Sequence, residues 1–273
     1  MDIMTIAGIL GGFVLIIVAI VLDTTSGISF NFGRLMSFVD IPSLFIVLGG
    51  VIATILASYP MNRLKQIPKH MKIIISGNKY EPMQYINTLV EFSQIARKNG
   101  LLALEEKANQ QTDPFFRQSI MLIVDATDSE KVKSMLENDL EKLAERHEDG
   151  VGIYEKASSM APAYGMIGTL VGLINMLQNM NPENGSSTIG QDMGTALITT
   201  LYGCIFANLF FNSVANKLRI RSDEEYLCKQ IIIEGVLSIQ SGETPKFMEE
   251  KLISFLAQAE RDNALGEGEN EKA

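Results

Sequence analysis

Ala161-Pro162-Ala163-Tyr164-Gly165-Met166-Ile167-Gly168-Thr169-Leu170-Val171-Gly172-Leu173 opens an apolar run that continues to about residue 180. A proline stands near its start. Gly165, Gly168 and Gly172 follow at helical spacing, so one helix face is stripped of side chains and open to a close neighbour. A second apolar run, 193–213, returns after a polar interval in which Asn181-Pro182-Glu183-Asn184-Gly185 is a turn signal. The two runs are read as a membrane hairpin. Its polar marks, Thr169, Thr195, Thr199, Thr200 and Asn208, would line a path for an ion.

Working outward, residues 3–22 are uncharged over the length needed to cross a hydrocarbon core. Asp2 is acidic and no basic segment precedes the run, which argues against a cleaved signal peptide. Gly8 and Gly12 form a small-xxx-small pair. Residues 23–40 are a polar connector. Residues 41–59 form a second span, with Gly49, Ala53 and Ala57 four apart, so that one face is small enough for close packing, and Tyr59-Pro60 ends it. The third and fourth spans are 157–180 and 191–213.

Between the pairs, residues 61–156 are soluble in character. Pro82 suits the first turn of a helix running to about residue 98, and Asn99-Gly100 caps it. A short helix follows over 101–109. Asp113-Pro114 reads as an N-cap with proline at the first helical position. Helices over 115–126 and 129–147 complete a compact bundle. No period-two alternation is evident, so no sheet is expected. The fourth span is expected to continue as helix through Lys217, Arg219 and Arg221 to about residue 239, with Gly242 as its cap. Thr244-Pro245 starts a last helix to about residue 260, and 262–273 reads as a disordered tail. The fold class is therefore all-α: a polytopic membrane protein with four transmembrane helices and a cytoplasmic helical domain. Its segments are 1–60, 61–156, 157–213, 214–261 and the tail 262–273.

The totals agree. Over 273 residues the mean hydropathy is slightly above zero, between a soluble protein and a pure transporter. A net charge of −9 argues against a nucleic-acid partner. Cys204 and Cys228 fit neither a disulfide framework nor a metal pair, and with no tryptophan any interfacial belt must use Tyr and Phe. Of the 23 Lys and Arg, 14 lie in 61–156 and 8 after residue 213, leaving Arg34 alone in the other connectors. The positive-inside rule then places both termini and the large loop in the cytoplasm, with most of the weight on the clusters at 63–72 and 217–221.

The four spans are read as free of Asp, Glu, Lys, Arg and His. A proton relay through a membrane ordinarily uses a buried ionisable group, so a partner's transmembrane helix is expected to bring the carboxylate. Pro162 removes one backbone donor and frees the carbonyl of Ser158; a simple kink is the plain alternative. Thr200, Cys204 and Asn208 share one helix face, Thr195 and Thr199 a neighbouring one. Threonines of membrane helices often only back-bond or glue helices, but hydroxyls clustered on facing helices make a lined cavity. Arg97, Lys98, Glu105 and Glu106 flank Asn99-Gly100; taken by pattern alone they are a solvated surface. His70 and His147 are isolated, so no metal site is expected. No nucleophile–base pair, phosphate loop or ligand spacing points to an enzyme.

Three segments carry a family resemblance. They are the run from Pro162 to Leu173 quoted above, Thr199-Thr200-Leu201-Tyr202-Gly203 with Ala207-Asn208-Leu209, and Ala96-Arg97-Lys98-Asn99-Gly100-Leu101-Leu102-Ala103-Leu104-Glu105-Glu106. With the order of two spans, large loop, two spans and tail, the chain resembles the MotA/PomA stator subunits of the bacterial flagellar motor, within the MotA/TolQ/ExbB group. The resemblance implies an inner-membrane subunit, five copies of which surround two copies of a MotB-like partner whose transmembrane aspartate carries H+ or Na+. It implies no resident cofactor. Ion flow turns the ring, and the cytoplasmic loop pushes on the rotor protein FliG, driving swimming and chemotaxis.

Carried over by position, the ion-path candidates are Pro162, Thr169, Thr199, Thr200, Tyr202 and Asn208. The rotor-binding candidates are Arg97, Lys98, Glu105 and Glu106, and the helix-packing glycines are Gly165, Gly168 and Gly172. Thr169 and Thr200 sit where sodium-driven relatives have a cavity hydroxyl. The family often has a second proline near the end of the fourth span, where this chain has Ser213. The rival readings are an ExbB/TolQ-like energiser of outer-membrane processes, a passive membrane scaffold, and a small-solute transporter. The first has three spans in its relatives against the four read here. The last lacks an inverted repeat or a charged substrate site.

Overall fold

A computed structural model describes residues 3–23, 29–77, 80–179 and 187–262. The expected disordered tail and the turn at 181–185 lie outside the described residues, apart from Asp262. α1 (Ile3–Val21) leads into a two-residue antiparallel pairing of β1 (Leu22–Asp23) with β2 (Ser29–Phe30). This minimal ladder, absent from the sequence reading, closes the first connector, and Asn31 N–H donates to the Val21 carbonyl beside it. After α2 (Gly33–Met36), the second span is built from α3 (Ile41–Leu44), a π-helical turn over Phe45–Gly49 and α4 (Gly50–Ser58). Asp40 caps it, its carboxylate accepting from Ser43 N–H at 2.9 Å. Tyr59-Pro60 breaks the helix, and α5 (Met61–Leu64) and α6 (Ile67–Ile75) follow.

α7 (Pro82–Asn99) begins at its proline and ends at Gly100, whose φ of +84° is open to glycine at no steric cost. A 3-10 turn (Leu101–Ala103) replaces the first turn of the helix expected over 101–109, leaving α8 (Leu104–Asn109). Asp113 caps α9 (Pro114–Val124) by accepting from Phe115 N–H. α9 stops two residues short of the expected 126. Ala126 takes φ +54°, and Thr127 N–H returns to the Leu122 carbonyl, closing the helix.

The largest departure is α10 (Ser129–Asn179), one unbroken helix of 51 residues where two were expected, ending at 147 and starting at 157. Gly150 and Gly152, inside the expected gap between the two, are places of close approach. A Cβ on Gly150 would stand 3.0 Å from the His70 ring, and Tyr59 Oη donates to the Gly152 carbonyl at 2.9 Å. α11 (Ser187–Ile205) passes through a π-helical stretch (Phe206–Phe211) into α12 (Asn212–Gln240). A Schellman end follows at Gly242, with Glu243 N–H on Ser238 and Gly242 N–H on Ile239. α13 (Pro245–Ile253) starts under the Thr244 cap but stops before the expected 260, because Ile253 and Leu256 turn inward and Arg261 takes the Leu256 carbonyl.

The chain divides into two compact units, the described residues of 1–77 with 147–219, and of 78–146 with 220–262. Composition changes at 60, 156 and 213, whereas packing divides the chain at 77, 146 and 219. In the first unit Val47, Val51, Ala157, Ala161 and Ala207 are buried together, and Ile74, Val151, Tyr154, Val214, Ala215 and Leu218 form a second cluster. In the second unit α7, α9, α12 and α13 share one core around Phe92, Phe116, Ile231 and Met248. Three helices of the described residues are long and apolar enough to cross a membrane: Ile41–Ser58, and stretches within Ser129–Gln178 and Ile189–Gln240. The apolar stretch Ala7–Val21 is shorter.

Candidate functional site

α10 and α11 meet along the three glycines. A Cβ on Gly165 would lie 3.2 Å from Thr200 Cα, one on Gly168 2.1 Å from Thr199 Cγ2, and one on Gly172 2.7 Å from Ala196 Cβ. The contact is reciprocal, since a Cβ on Gly203 would fall 2.7 Å from the Ala161 carbonyl. Backbones that approach this closely bring short side chains into reach. Thr169 Oγ1 lies 2.5 Å from Thr200 Oγ1 and also donates to the Gly165 and Ala196 carbonyls, both at 3.1 Å.

The consecutive threonines diverge. Thr200 is exposed, and with Cys204 and Asn208 it forms an open stripe on α11 and the π-helical stretch. Asn208 sends its amide back to the Cys204 carbonyl at 3.0 Å. Thr199 is fully buried on another side, 2.7 Å from Ser43 Oγ, and donates to the Thr195 carbonyl. Tyr202 also leaves the stripe. Its hydroxyl donates to the Phe38 carbonyl at 2.5 Å and accepts from Asp40 N–H at 3.2 Å, tying α11 to the entry of the second span. The six ion-path candidates therefore do not share one surface: Thr169, Thr200 and Asn208 can, while Thr199 and Tyr202 join spans.

Pro162 sits inside α10 and removes the donor for the Ser158 carbonyl. Ser158 Oγ crosses to the Ala207 carbonyl at 3.0 Å, within the π-helical stretch. Ser213 Oγ reaches the Asn208 carbonyl at 3.4 Å, five residues back. Irregular backbone on α10 is thus matched by irregular backbone on the facing helix. One correction concerns charge: Asp192 lies in α11 and inside the expected fourth span. It stands at the N-terminal end of that span, well before the Thr200 level, so the middle of each span remains without Asp, Glu, Lys, Arg or His among the described residues.

Sequence reasoning missed several partners. Asp40 and Ser43 stand where the first connector meets the second span, and their capping pattern Asp-x-x-Ser is legible in the sequence. Gly49, Ala53 and Ala57, the face small enough for close packing, are exposed in the single chain. The close contact lies one residue round the helix, where the Tyr164 ring crosses Gly50 and its hydroxyl meets Thr54 at 2.8 Å. Likewise only Gly12 of the first small pair is covered, by Leu209.

In the other unit, Arg97 and Lys98 occupy the last turn of α7, and Glu105 and Glu106 the first turn of α8. Each charge suits the dipole of its helix end. All four are exposed, and between them Leu102 is 74 % exposed beside a cavity of about 680 Å³ lined in part by Glu105 and Glu106. Burial pushes the Cys228 thiol up to about 12, with Asp113 next in effect, which makes it an inert packing group. No cluster of three or more His, Cys, Asp or Glu able to hold a metal occurs among the described residues.

Residues 107–230 match the model of the MotA/TolQ/ExbB proton channel family. The chain is 42% identical to the motility protein A of Borreliella burgdorferi, covering 82% of this chain and 85% of that protein. It is 38% identical to the chemotaxis protein PomA of Vibrio alginolyticus, covering 96% and 98%. Its fold superimposes on the flagellar MotAB stator complex from Bacillus subtilis with a TM-score of 0.84 at 27% identity, covering 94% of this chain and 97% of that one.

Proposed function

The chain belongs to the MotA/TolQ/ExbB proton channel family, with motility protein A and PomA as relatives along nearly its whole length, and from that premise we propose how it works. It is a stator subunit of the bacterial flagellar motor, set in the inner membrane. α1 supplies a fourth span, and both termini and the basic loops face the cytoplasm. Several copies, five in the proposed assembly, surround two chains of a MotB-like partner whose transmembrane aspartate carries H+ or Na+. The cytoplasmic unit pushes on the rotor protein FliG through Arg97, Lys98, Glu105 and Glu106.

The observation that carries this reading is the open stripe of Thr200, Cys204 and Asn208 beside Thr169, on spans whose middles hold no carboxylate. A surface of small and polar groups without a titratable carrier is complete only when a partner helix brings one. Pro162 and the π-helical stretch opposite it give the packed helices backbone that can be rearranged as that carboxylate changes charge. The two compact units give the motion an anchor and a lever.

The test is complementation. Co-expressed with the partner chain in a cell lacking its own stators, this chain should restore swimming, and neither chain alone should do so. Copurification without swimming, together with rescue of outer-membrane energisation, would favour the ExbB/TolQ reading.

A further inference from the structure

We propose that α6 is a binding surface for anionic phospholipid, fixed at the headgroup level of the leaflet that faces the basic loops. α6 is pinned at that level by its inner face. Ile74 is buried with Val151 and Tyr154 of α10 and with Val214, Ala215 and Leu218 of α12, and Ile67 and Met71 pack on the same cluster. Those partners stand within six residues of the inner ends of the third and fourth spans, at 157 and 213. At the helical rise this is within about 10 Å of the hydrocarbon edge. The second span independently delivers the chain there, since only residues 59–66 separate α4 from α6.

The outer face has the chemistry of an interface. Lys69 and Lys72 are exposed, and beside them Ile73 and Ile75 are 36% and 44% exposed. Lys65 and Met61, the latter 60% exposed, extend the surface through α5. Lysines that snorkel to phosphate over isoleucines set among the upper methylenes are the pattern of an interfacial helix. No Asp or Glu occurs from 61 to 77. Three acids of α10 in the same unit are engaged elsewhere: Asp149 pairs with Arg63 at 2.8 Å, and Glu148 and Glu155 pair with Arg219. Among the described residues Lys65, Lys69 and Lys72 have no acidic partner, which leaves them to meet negative charge from outside the chain, and at that depth it is the phosphodiester of the anionic lipids.

The proposal rests on the membrane placement above, and its readout, bound lipid, does not depend on torque. The complex of this chain with its partner would be extracted from its native membrane in mild detergent, and the retained phosphatidylglycerol and phosphatidylethanolamine quantified. Each lysine near an anionic surface contributes about fivefold in affinity, so Lys65→Gln/Lys69→Gln/Lys72→Gln should lose phosphatidylglycerol affinity on the order of 100-fold. Phosphatidylethanolamine should be retained equally, and the matching Lys→Arg variant should hold phosphatidylglycerol like the wild type. Should the Gln variant assemble poorly, the wild-type complex in nanodiscs decides. Its melting temperature should rise as phosphatidylcholine is replaced by phosphatidylglycerol, and the rise should vanish in high salt. Unchanged phosphatidylglycerol retention in an assembled Gln variant would overturn the proposal. So would efficient disulfide crosslinking between copies through Lys69→Cys, which would give this face to a second chain.

Discussion

Ser43 Oγ and Thr199 Oγ1 lie 2.7 Å apart in a fully buried contact, and this pairing gives adjacent threonines opposite duties. Thr199 fastens α11 to the second span through Ser43, which is itself held by the Asp40 cap and reaches the Thr195 carbonyl. Thr200, one residue on, is left to the open stripe. Replacing Thr199 with Val keeps the shape and removes one of the partners of Ser43, whose hydroxyl still reaches Asp40 and the Thr195 carbonyl, at a cost of about 0.5–1.5 kcal/mol. The purified complex should melt at lower temperature while ion coupling per assembled complex is kept. Ser43→Ala/Thr199→Val should cost less than the sum of the two single changes. Strict additivity would mean that the two hydroxyls act independently.

His70 stands outside the spans, packed on Gly150 with Tyr154 Oη 3.5 Å from its Nδ1. Desolvation, then Lys69 and His147, holds its pKa below the ordinary 6.5. Burial pushes the Tyr154 hydroxyl up to about 12, so near neutral pH it remains a donor toward a neutral imidazole. With the folded pKa lowered, the unfolded chain takes the proton first as pH falls. The stability from neutral His70 is complete above about 6.5 and is lost as pH drops through the folded value. Thermal melts across that window should decline for the wild type and flatten for His70→Gln. Parallel curves would assign the acid sensitivity to other groups.

Arg97 and Glu105 lie at facing helix ends on an exposed surface, with no buried role for their charge. Arg97→Glu and Glu105→Lys should each reduce swimming severely, leaving membrane assembly and ion flux through the complex intact, because surface charge acts in docking. Leu102 between them is a natural apolar anchor for the same contact, and Leu102→Ser should weaken torque without lowering the melting temperature. Loss of assembly in any of the three variants would make that residue structural.

What was legible followed the strength of local signals. Pro82, Gly100, Asp113-Pro114, Gly242 and Thr244-Pro245 all act within a turn of where they stand, and the ends they mark were read to within a residue or two. α10 was expected as two helices, and the contacts made where it runs on, at Gly150 and Gly152, come from His70 and Tyr59, some 80 to 93 residues away and out of reach of local patterns. In the second span Gly49, Ala53 and Ala57 form the small-residue pattern, while within the chain Gly50 takes the contact, under the Tyr164 ring that bonds Thr54. The hydroxyls were legible as a group, but a one-residue step turns a side chain by about 100°. That step decides between Thr199 in the packing and Thr200 on the stripe.

The identity of the ion turns on Thr169 and Thr200. Their hydroxyls meet at 2.5 Å across facing helices, and Thr169 also donates toward two carbonyls, so oxygen atoms with free lone pairs converge beside the open stripe. A proton can pass along a carboxylate and water without dedicated ligands. Sodium must exchange part of its hydration shell for oxygen donors, and neutral hydroxyls with backbone carbonyls can supply some. A hydroxyl pair next to a partner carboxylate therefore favours sodium. Swimming speed, or growth-arresting flux through an unplugged complex, should rise with sodium concentration at fixed proton-motive force. Thr169→Ala and Thr200→Ala should each shift that dependence to higher sodium, because one oxygen of the pair is lost while the glycine-lined contact of α10 and α11 remains. Speed independent of sodium, with both variants tolerated, would make the pair a packing contact and the proton the coupling ion.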